Sequence, residues 1–390
     1  MRAPLDGIKV LDMAWVGPGP FCATLLGDLG AEIIKIHEPQ PERRGSLIMY
    51  AFPNTPAFPG LRNCKSMGLD LKSAGGRKIF HELAKTADVL IESFRPGVMK
   101  RLGIDYGTLS QLNPGLVYAS LTGYGQDGPY RDLPGHDINY ISVGGLLGMT
   151  GVAGGPPVIP GLLVADMAAG GIGTALGVVA ALRARDITGR GQLVDMSITD
   201  GVAELMSMWI NPLLTYGIEY RRGETMFTGL YPWYNVYETG DGKHISVGAL
   251  EPYFYAALCK ALGREDFVPH QFAEGEKREE IFRHFREMFL QKPRDEWVEE
   301  LKAQCCVAPV YTIEELVKDP QLLARGMIKD LPHPRLGSVK QVGSMLKLSE
   351  TPFRVRNWCT RFGEHTDEVL SGLGYDAAAI ESLRRNETVS

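Results

Sequence analysis

Ile8-Lys9-Val10-Leu11-Asp12-Met13, Gly17-Pro18-Gly19-Pro20, the run from Phe21 to Leu29, Gly30, and Glu32-Ile33-Ile34-Lys35-Ile36 decide the fold. The first run is short, apolar and strand-like; the Gly/Pro turn opens a helix, Gly30 closes it as a C-cap, and a second apolar strand follows. Strand, helix and strand in this order form a βαβ unit, whose strands must be parallel.

The pattern continues outward. A helix carrying Ile79, Phe80, Leu83 and Ala84 on one face leads into a strand at Asp88 to Ile91, and another helix leads into Leu116 to Leu121. Alternation of this kind predicts a parallel sheet covered by helices. From Leu121 to Gly173 glycine and proline dominate; a small-residue helix (Ile172 to Arg183), a strand at Gln192 to Ser197 and a helix after Thr199 follow. Long Gly-rich connections in α/β proteins carry sites. The composition shifts near Arg221 to Gly229. Tyr234 to Glu238 and His244 to Val247 then flank a Gly240-Asp241-Gly242-Lys243 turn and read as a hairpin, and charged helices occupy Glu276 to Leu290 and Arg294 to Gln304. At the C-terminal end Thr366 is a candidate cap for a helix opening with Asp367 and Glu368, and Asp376 opens another.

A chain of 390 residues exceeds the ~250 to 300 that one core supports, so two domains are expected. With 44% hydrophobic and 22% charged residues, and 46 glycines clustered without a period, disordered and fibrous classes are excluded. A net charge of -5 without basic blocks argues against nucleic acid and for a small-molecule partner. The six cysteines form no CxxC pair and have no histidine at metal spacing, which predicts a reducing cytoplasm and no metal. Met1 to Asp12 resembles neither a signal peptide nor a transit sequence. Met167 to Leu182 reads as too short and Gly-rich to span a bilayer, so no membrane segment is expected.

Three places carry candidate chemistry. Gly17-Pro18-Gly19 with Glu38 about 20 residues on suggests a dinucleotide turn, but Cys22 holds the third glycine position and Pro18 lacks an amide, so NAD is not expected. Asp166 lies between Leu162-Leu163-Val164-Ala165 and Met167-Ala168-Ala169-Gly170-Gly171, read as a strand end and a helix start. The plain reading is an N-cap; the small residues also admit a ligand, and free amides there would stabilise a thioester oxyanion. His136 follows a Gly/Pro-rich loop, with Tyr140 one helical turn on, and Glu251 heads a later helix, where it is equally a favourable N-terminal charge. Arg43, Arg44, Lys65, Arg95, Lys100 and Arg101 are candidate phosphate ligands or ordinary surface charges. Met149, Met206, Met208 and Trp209 read as core or as a pliable pocket, with core the better reading.

Gly7-Ile8-Lys9-Val10-Leu11-Asp12, Leu29-Gly30-Ala31-Glu32, Leu69-Asp70-Leu71-Lys72, Phe94-Arg95-Pro96-Gly97-Val98, Gly123-Tyr124-Gly125-Gln126, Asp195-Met196-Ser197 and Gly363-Glu364-His365-Thr366 together resemble the class III CoA-transferase family. Gly135-His136-Asp137-Ile138-Asn139-Tyr140 and Gly248-Ala249-Leu250-Glu251-Pro252 are similar to its α-methylacyl-CoA racemase branch. The resemblance implies an α/β fold: a Rossmann-like CoA-binding domain over 1–220 and 330–390, a smaller α+β domain over 221–329, and an interlocked homodimer. It implies Asp166 as the catalytic aspartate, His136 as a second base, Glu251 as its partner, and Tyr140 and Tyr234 as lining residues. Arg95, Arg101, Lys65, Gly125 and Gln126 are expected to meet substrate or CoA, with no cofactor beyond CoA itself. The chain departs from the relatives at Asn63-Cys64-Lys65, where an Asn-Lys-Arg-like trio is expected, and at Lys35-Ile36-His37-Glu38, which lacks their arginine.

Two mechanisms share Asp166. With His136 it forms an acid/base pair able to invert the α-carbon of a 2-methylacyl-CoA through an enolate. Alone it attacks the thioester, as a CoA-transferase would through an anhydride and an enzyme thioester. The presence of His136 and Glu251 favours racemisation, since nucleophilic catalysis leaves both idle; a non-catalytic CoA-binding protein is the distant alternative.

Overall fold

The computed structural model describes residues 2–39, 62–359 and 361–390. Contacts divide the chain into a larger unit, Met1–Gly145, Gly161–Ser207 and Leu323–Ser390, and a smaller one, Leu146–Pro160 and Met208–Leu322. The boundaries fall at 207/208 and 322/323 instead of the expected 220/221 and 329/330. The 207/208 boundary lies at the start of the apolar helix Ser207–Tyr216, where composition gives no sign. Leu146–Pro160 joins the smaller unit because Arg222 donates from Nε to the Gly148 carbonyl (3.1 Å) and from Nη1 to the Gly155 carbonyl.

The larger unit holds six parallel strands: β1 (Lys9–Asp12), β2 (Glu32–His37), β3 (Cys64–Gly68), β4 (Val89–Glu92), β5 (Val117–Thr122) and β6 (Leu193–Ser197), in the order β3-β2-β1-β4-β5-β6. The period of two puts Leu11, Ile34, Leu90 and Tyr118 on one face, packed with Phe80 and Leu83 of the helix Ala74–Thr86. Val10, Ile33, Val89, Val117 and Ala119 face the other way, against Ala23 and Leu26 of the helix Pro18–Asp28 and Val178 and Leu182 of the helix Gly173–Thr188. The C-terminal helices Thr366–Gly372 and Ala377–Arg385 supply Val369, Leu370 and Ile380 to the first face. Asp376 caps the second of these by accepting from the Ala379 amide at 2.8 Å. Thr366 does not cap the first; its hydroxyl accepts from the Gly68 amide (3.2 Å) and ties that helix to β3.

The stretch Ala165–Thr188 is one continuous helical run of 24 residues. It is long and apolar enough to cross a membrane by length and composition, contrary to the expectation that it is too short. Its glycines instead fit closely against neighbouring side chains: a Cβ on Gly170 would stand 2.8 Å from Pro18, and one on Gly171 2.7 Å from Phe21. The antiparallel pair β10 (Ile328–His333) and β11 (Gly337–Val342) completes this unit.

In the smaller unit the expected hairpin is present as β7 (Tyr234–Glu238) and β8 (His244–Gly248), extended by an unforeseen third strand, β9 (Val307–Pro309), to an antiparallel sheet. Trp233, Tyr255, Phe285, Phe289 and Trp297 form its core with the helices Pro252–Ala261, Gly275–Phe289 and Arg294–Leu301.

Candidate active site

Strand order reverses between β1 and β4, and the segments leaving the C-terminal ends of β1, β4 and β5 open a crevice there, the usual ligand position in such sheets. A cavity of about 780 Å³ occupies it, lined by Trp15, Val16 and Pro18 after β1, Ser93 to Pro96 after β4, Thr122 to Tyr124 after β5, and by His136, Tyr140 and Asp166.

Asp166 is neither a strand end nor an N-cap. Val164 precedes it in helical conformation, and Ala165–Ile172 winds as a π-helix, a form concentrated at functional sites because its wide turns re-aim side chains. The amide expected to meet a thioester oxygen is occupied: Asp166 N–H donates to Asp137 Oδ1 at 2.9 Å, and Met167 N–H to the Leu163 carbonyl at 2.9 Å. The turn once compared with a dinucleotide loop passes directly beneath the carboxylate. Gly17 has φ 61°, and a Cβ there would lie 2.6 Å from Asp166 Oδ2, so only glycine lets the chain pass so close. Of the small residues after Asp166, Gly170 and Gly171 serve helix packing, against Pro18 and Phe21.

Burial raises the Asp166 carboxyl to about 6, the buried Asp137 carboxylate adds to the rise, and His136 opposes it. His136 is therefore close enough to act on Asp166 electrostatically, and both face the same cavity. His136 precedes the helix Asp137–Val143, exposed, with its amide held by Asn139 Oδ1 at 3.0 Å. Tyr140 packs in the space left by Gly123 and Gly135, donates to the Gly135 carbonyl at 2.6 Å, and has its hydroxyl pushed up to about 12 by burial and then by Asp166.

A second cavity of about 270 Å³ shares Trp15 and Phe94 with the first and is lined also by His37, Asp70, Lys72 and Arg101. Arg95 lines the first cavity. Lys65 is absent from both linings and is paired with Glu32 (2.6 Å) and Glu368 (2.9 Å). Gly125 and Gln126 are absent too. The Gly125 amide donates to Thr122 Oγ1 (3.1 Å), and Gln126 points back at the sheet through Ser120 (2.7 Å). Arg43 and Arg44 lie outside the described residues. In the smaller unit, Tyr234 lines a cavity of about 550 Å³ with Phe227, Gly248 and Cys306, and exposed Glu251 sits at the N-cap of Pro252–Ala261 without a side-chain cap bond. Of the four residues weighed as pocket or core, Met206 is buried and Met208 is 53% exposed.

The sequence profile of "CoA-transferase family III" matches residues 5–366. The chain belongs to this family. Human α-methylacyl-CoA racemase is 35% identical over 396 aligned positions, 99% of this chain and 97% of the human protein. The succinyl-CoA–L-malate CoA-transferase beta subunit of Chloroflexus aurantiacus is 32% identical, covering 99% of this chain and 98% of its own. A crystal structure of a CAIB/BAIF family protein from Brucella suis superposes with a TM-score of 0.81 at 26% identity, over 96% of this chain and all of that one.

Trp15, Phe94 and Tyr124 in the larger cavity, Lys72 in the smaller, and Asp137 at the Asp166 amide are residues that the sequence reading did not single out. Position gave the signal for most of them: they lie at or just beyond the C-terminal ends of predicted parallel strands.

Proposed function

We propose that the protein is an α-methylacyl-CoA racemase-like isomerase, inverting 2-methyl-branched acyl-CoA thioesters by proton transfer at the α-carbon. The observation that carries this reading is the acid/base pair: Asp166 and His136 face one cavity, and His136 acts on the Asp166 carboxyl. One group takes the α-proton, leaving an enolate; the other returns a proton to the opposite face, and the roles exchange with the handedness of the substrate. A carboxyl raised to about 6 is ionised near neutrality yet basic enough to accept a proton. The part given to Glu251, support of the imidazole, rests on its motif alone.

CoA is proposed to lie across the second cavity, where Lys72 and Arg101 supply positive charge for phosphate. No cofactor beyond CoA is invoked. The six cysteines, none in a CxxC pair, fit the reducing cytoplasm in which we place the protein. Exposed Leu176, Val179 and Ile187 on one long helix support burial against a second copy, in line with an interlocked homodimer.

The near full-length match to a CoA-transferase keeps a second reading, in which Asp166 attacks the thioester carbonyl and passes CoA to an acceptor acid. A 2-methylacyl-CoA incubated in deuterated water without acceptor acid separates the two. Exchange with inversion, lost in His136→Ala, is the expected result. No exchange, with CoA transfer appearing once carboxylic acids are added, overturns the isomerase reading.

A further inference from the structure

Glu92 ends β4 immediately before the cavity-lining segment Ser93 to Pro96, and it is 3% exposed. It stands in register with Ser120 on β5, which stands in register with Asp195 on β6, so three polar residues form one row across the sheet below the crevice. The row holds both loops. Glu92 Oε2 accepts the Phe94 amide at 2.9 Å, and its other oxygen is hydrogen-bonded to the Ser120 hydroxyl. Gln126 Nε2 donates to that hydroxyl oxygen at 2.7 Å, while the Gln126 amide donates to Asp195 Oδ2 at 3.2 Å.

We propose that Glu92 is a positioning residue for the Asp166 cavity: its carboxyl group ties the segment after β4 to the Gly123–Gln126 loop and so fixes the wall that carries Phe94, Arg95 and Tyr124. The proposal rests on the reading of this cavity as the acyl-CoA site. A buried polar group is costly unless its partners are local and complete, so a carboxyl placed here for folding alone would be a poor choice against an apolar residue. Among the described residues the charged group acting on it is another carboxylate, Asp195; burial first, then that neighbour, raises Glu92 to about 7 against the bonds from Ser120 and the Phe94 amide. As a carboxylate the group accepts from the Ser120 hydroxyl and the Phe94 amide; in its neutral form it keeps the Phe94 bond and donates to Ser120 Oγ through the other oxygen. An amide does the same, so Glu92→Gln keeps the brace and Glu92→Leu removes it.

The test compares both variants with the wild type. In Glu92→Leu, the KM for acyl-CoA in whichever reaction the protein performs should rise about tenfold with kcat nearly unchanged, and Glu92→Gln should restore it to within about twofold. Hydrogen exchange should accelerate together in the segments after β4 and after β5 in Glu92→Leu and in neither for Glu92→Gln. Ser120→Ala cuts the same link without touching the carboxyl and should reproduce the paired acceleration, which covers a misfolded Glu92→Leu. Acceleration in one loop only or in neither, or an unrescued KM, overturns the brace. If the wild type turns over no acyl-CoA, the functional reading fails separately, and the exchange pattern still decides the brace.

Discussion

The two cavities at the C-terminal edge of the sheet share Trp15 and Phe94, yet offer a ligand opposite things. The larger presents a carboxyl raised by burial to about 6, which exchanges its proton near neutral pH, beside an imidazole and phenols. The smaller presents Lys72 and Arg101, with His37 and Asp70, among Met13, Ile36, Leu71 and Val98, groups suited to hold a phosphate and to pack on a flat ring. Proximity to one pair of aromatic residues therefore does not make the cavities equivalent. What separates them is that the larger holds a part-buried carboxyl raised toward neutrality and the smaller two basic side chains. The comparison implies that chemistry and binding energy can be removed independently.

The largest effect should come from the proton-exchanging side. Asp166→Asn keeps shape and volume, and should reduce turnover about a thousandfold while leaving acyl-CoA affinity within a few-fold, as calorimetry can measure. In the wild type, turnover in the direction that uses Asp166 as base should fall as pH drops through about 6, because that carboxyl then takes up a proton. Loss of binding in parallel with turnover would mean that Asp166 holds ligand, and the division between the cavities would collapse.

Arg101→Ala probes the other side. Loss of one charge-assisted bond to a phosphate should raise KM about 10- to 30-fold with kcat preserved, and the loss should shrink as salt is added. An equal fall in kcat would show that the smaller cavity also contributes to the transition state.

How far the sequence reaches follows the same line between local and distant causes. β1, β2, β4, β5 and β6 were legible within one or two residues because apolar runs and Gly/Pro turns are local signals. β3 was not: Cys64-Lys65-Ser66 is a polar edge strand, paired on one side by β2 and held on the other by the C-terminal segment, and its lysine reads more readily as a ligand than as a strand residue. Asp166 and His136 stood out as a motif, but the environment that tunes Asp166 did not. Asp137 reaches its amide across 29 positions, and Gly17 reaches its carboxylate from the first turn of the fold. Glu92 was invisible for the same reason, since Val89-Leu90-Ile91-Glu92 reads as a strand that simply ends in a charge.

The smallest effect concerns that charge, and it is a matter of stability. Glu92 is raised to about 7 in the fold from an ordinary 4.5, so the native protein binds its proton more tightly than the unfolded chain. The stabilisation is complete below about 4.5 and is lost as pH rises through about 7. Glu92→Gln cannot titrate. Asp195 and Tyr118, the other ionisable groups that Glu92 acts on or feels, are present in both proteins, so the difference between them isolates Glu92. Between pH 6 and pH 8 the wild type should lose about 1 kcal/mol relative to Glu92→Gln, a Tm difference of about 1 to 2 °C. A difference that does not change with pH would mean that the carboxyl already carries its charge in the fold. The row beneath the crevice would then be an anionic site and not a neutral brace, and the expected equivalence of Glu92 with its glutamine variant would lose its physical reason.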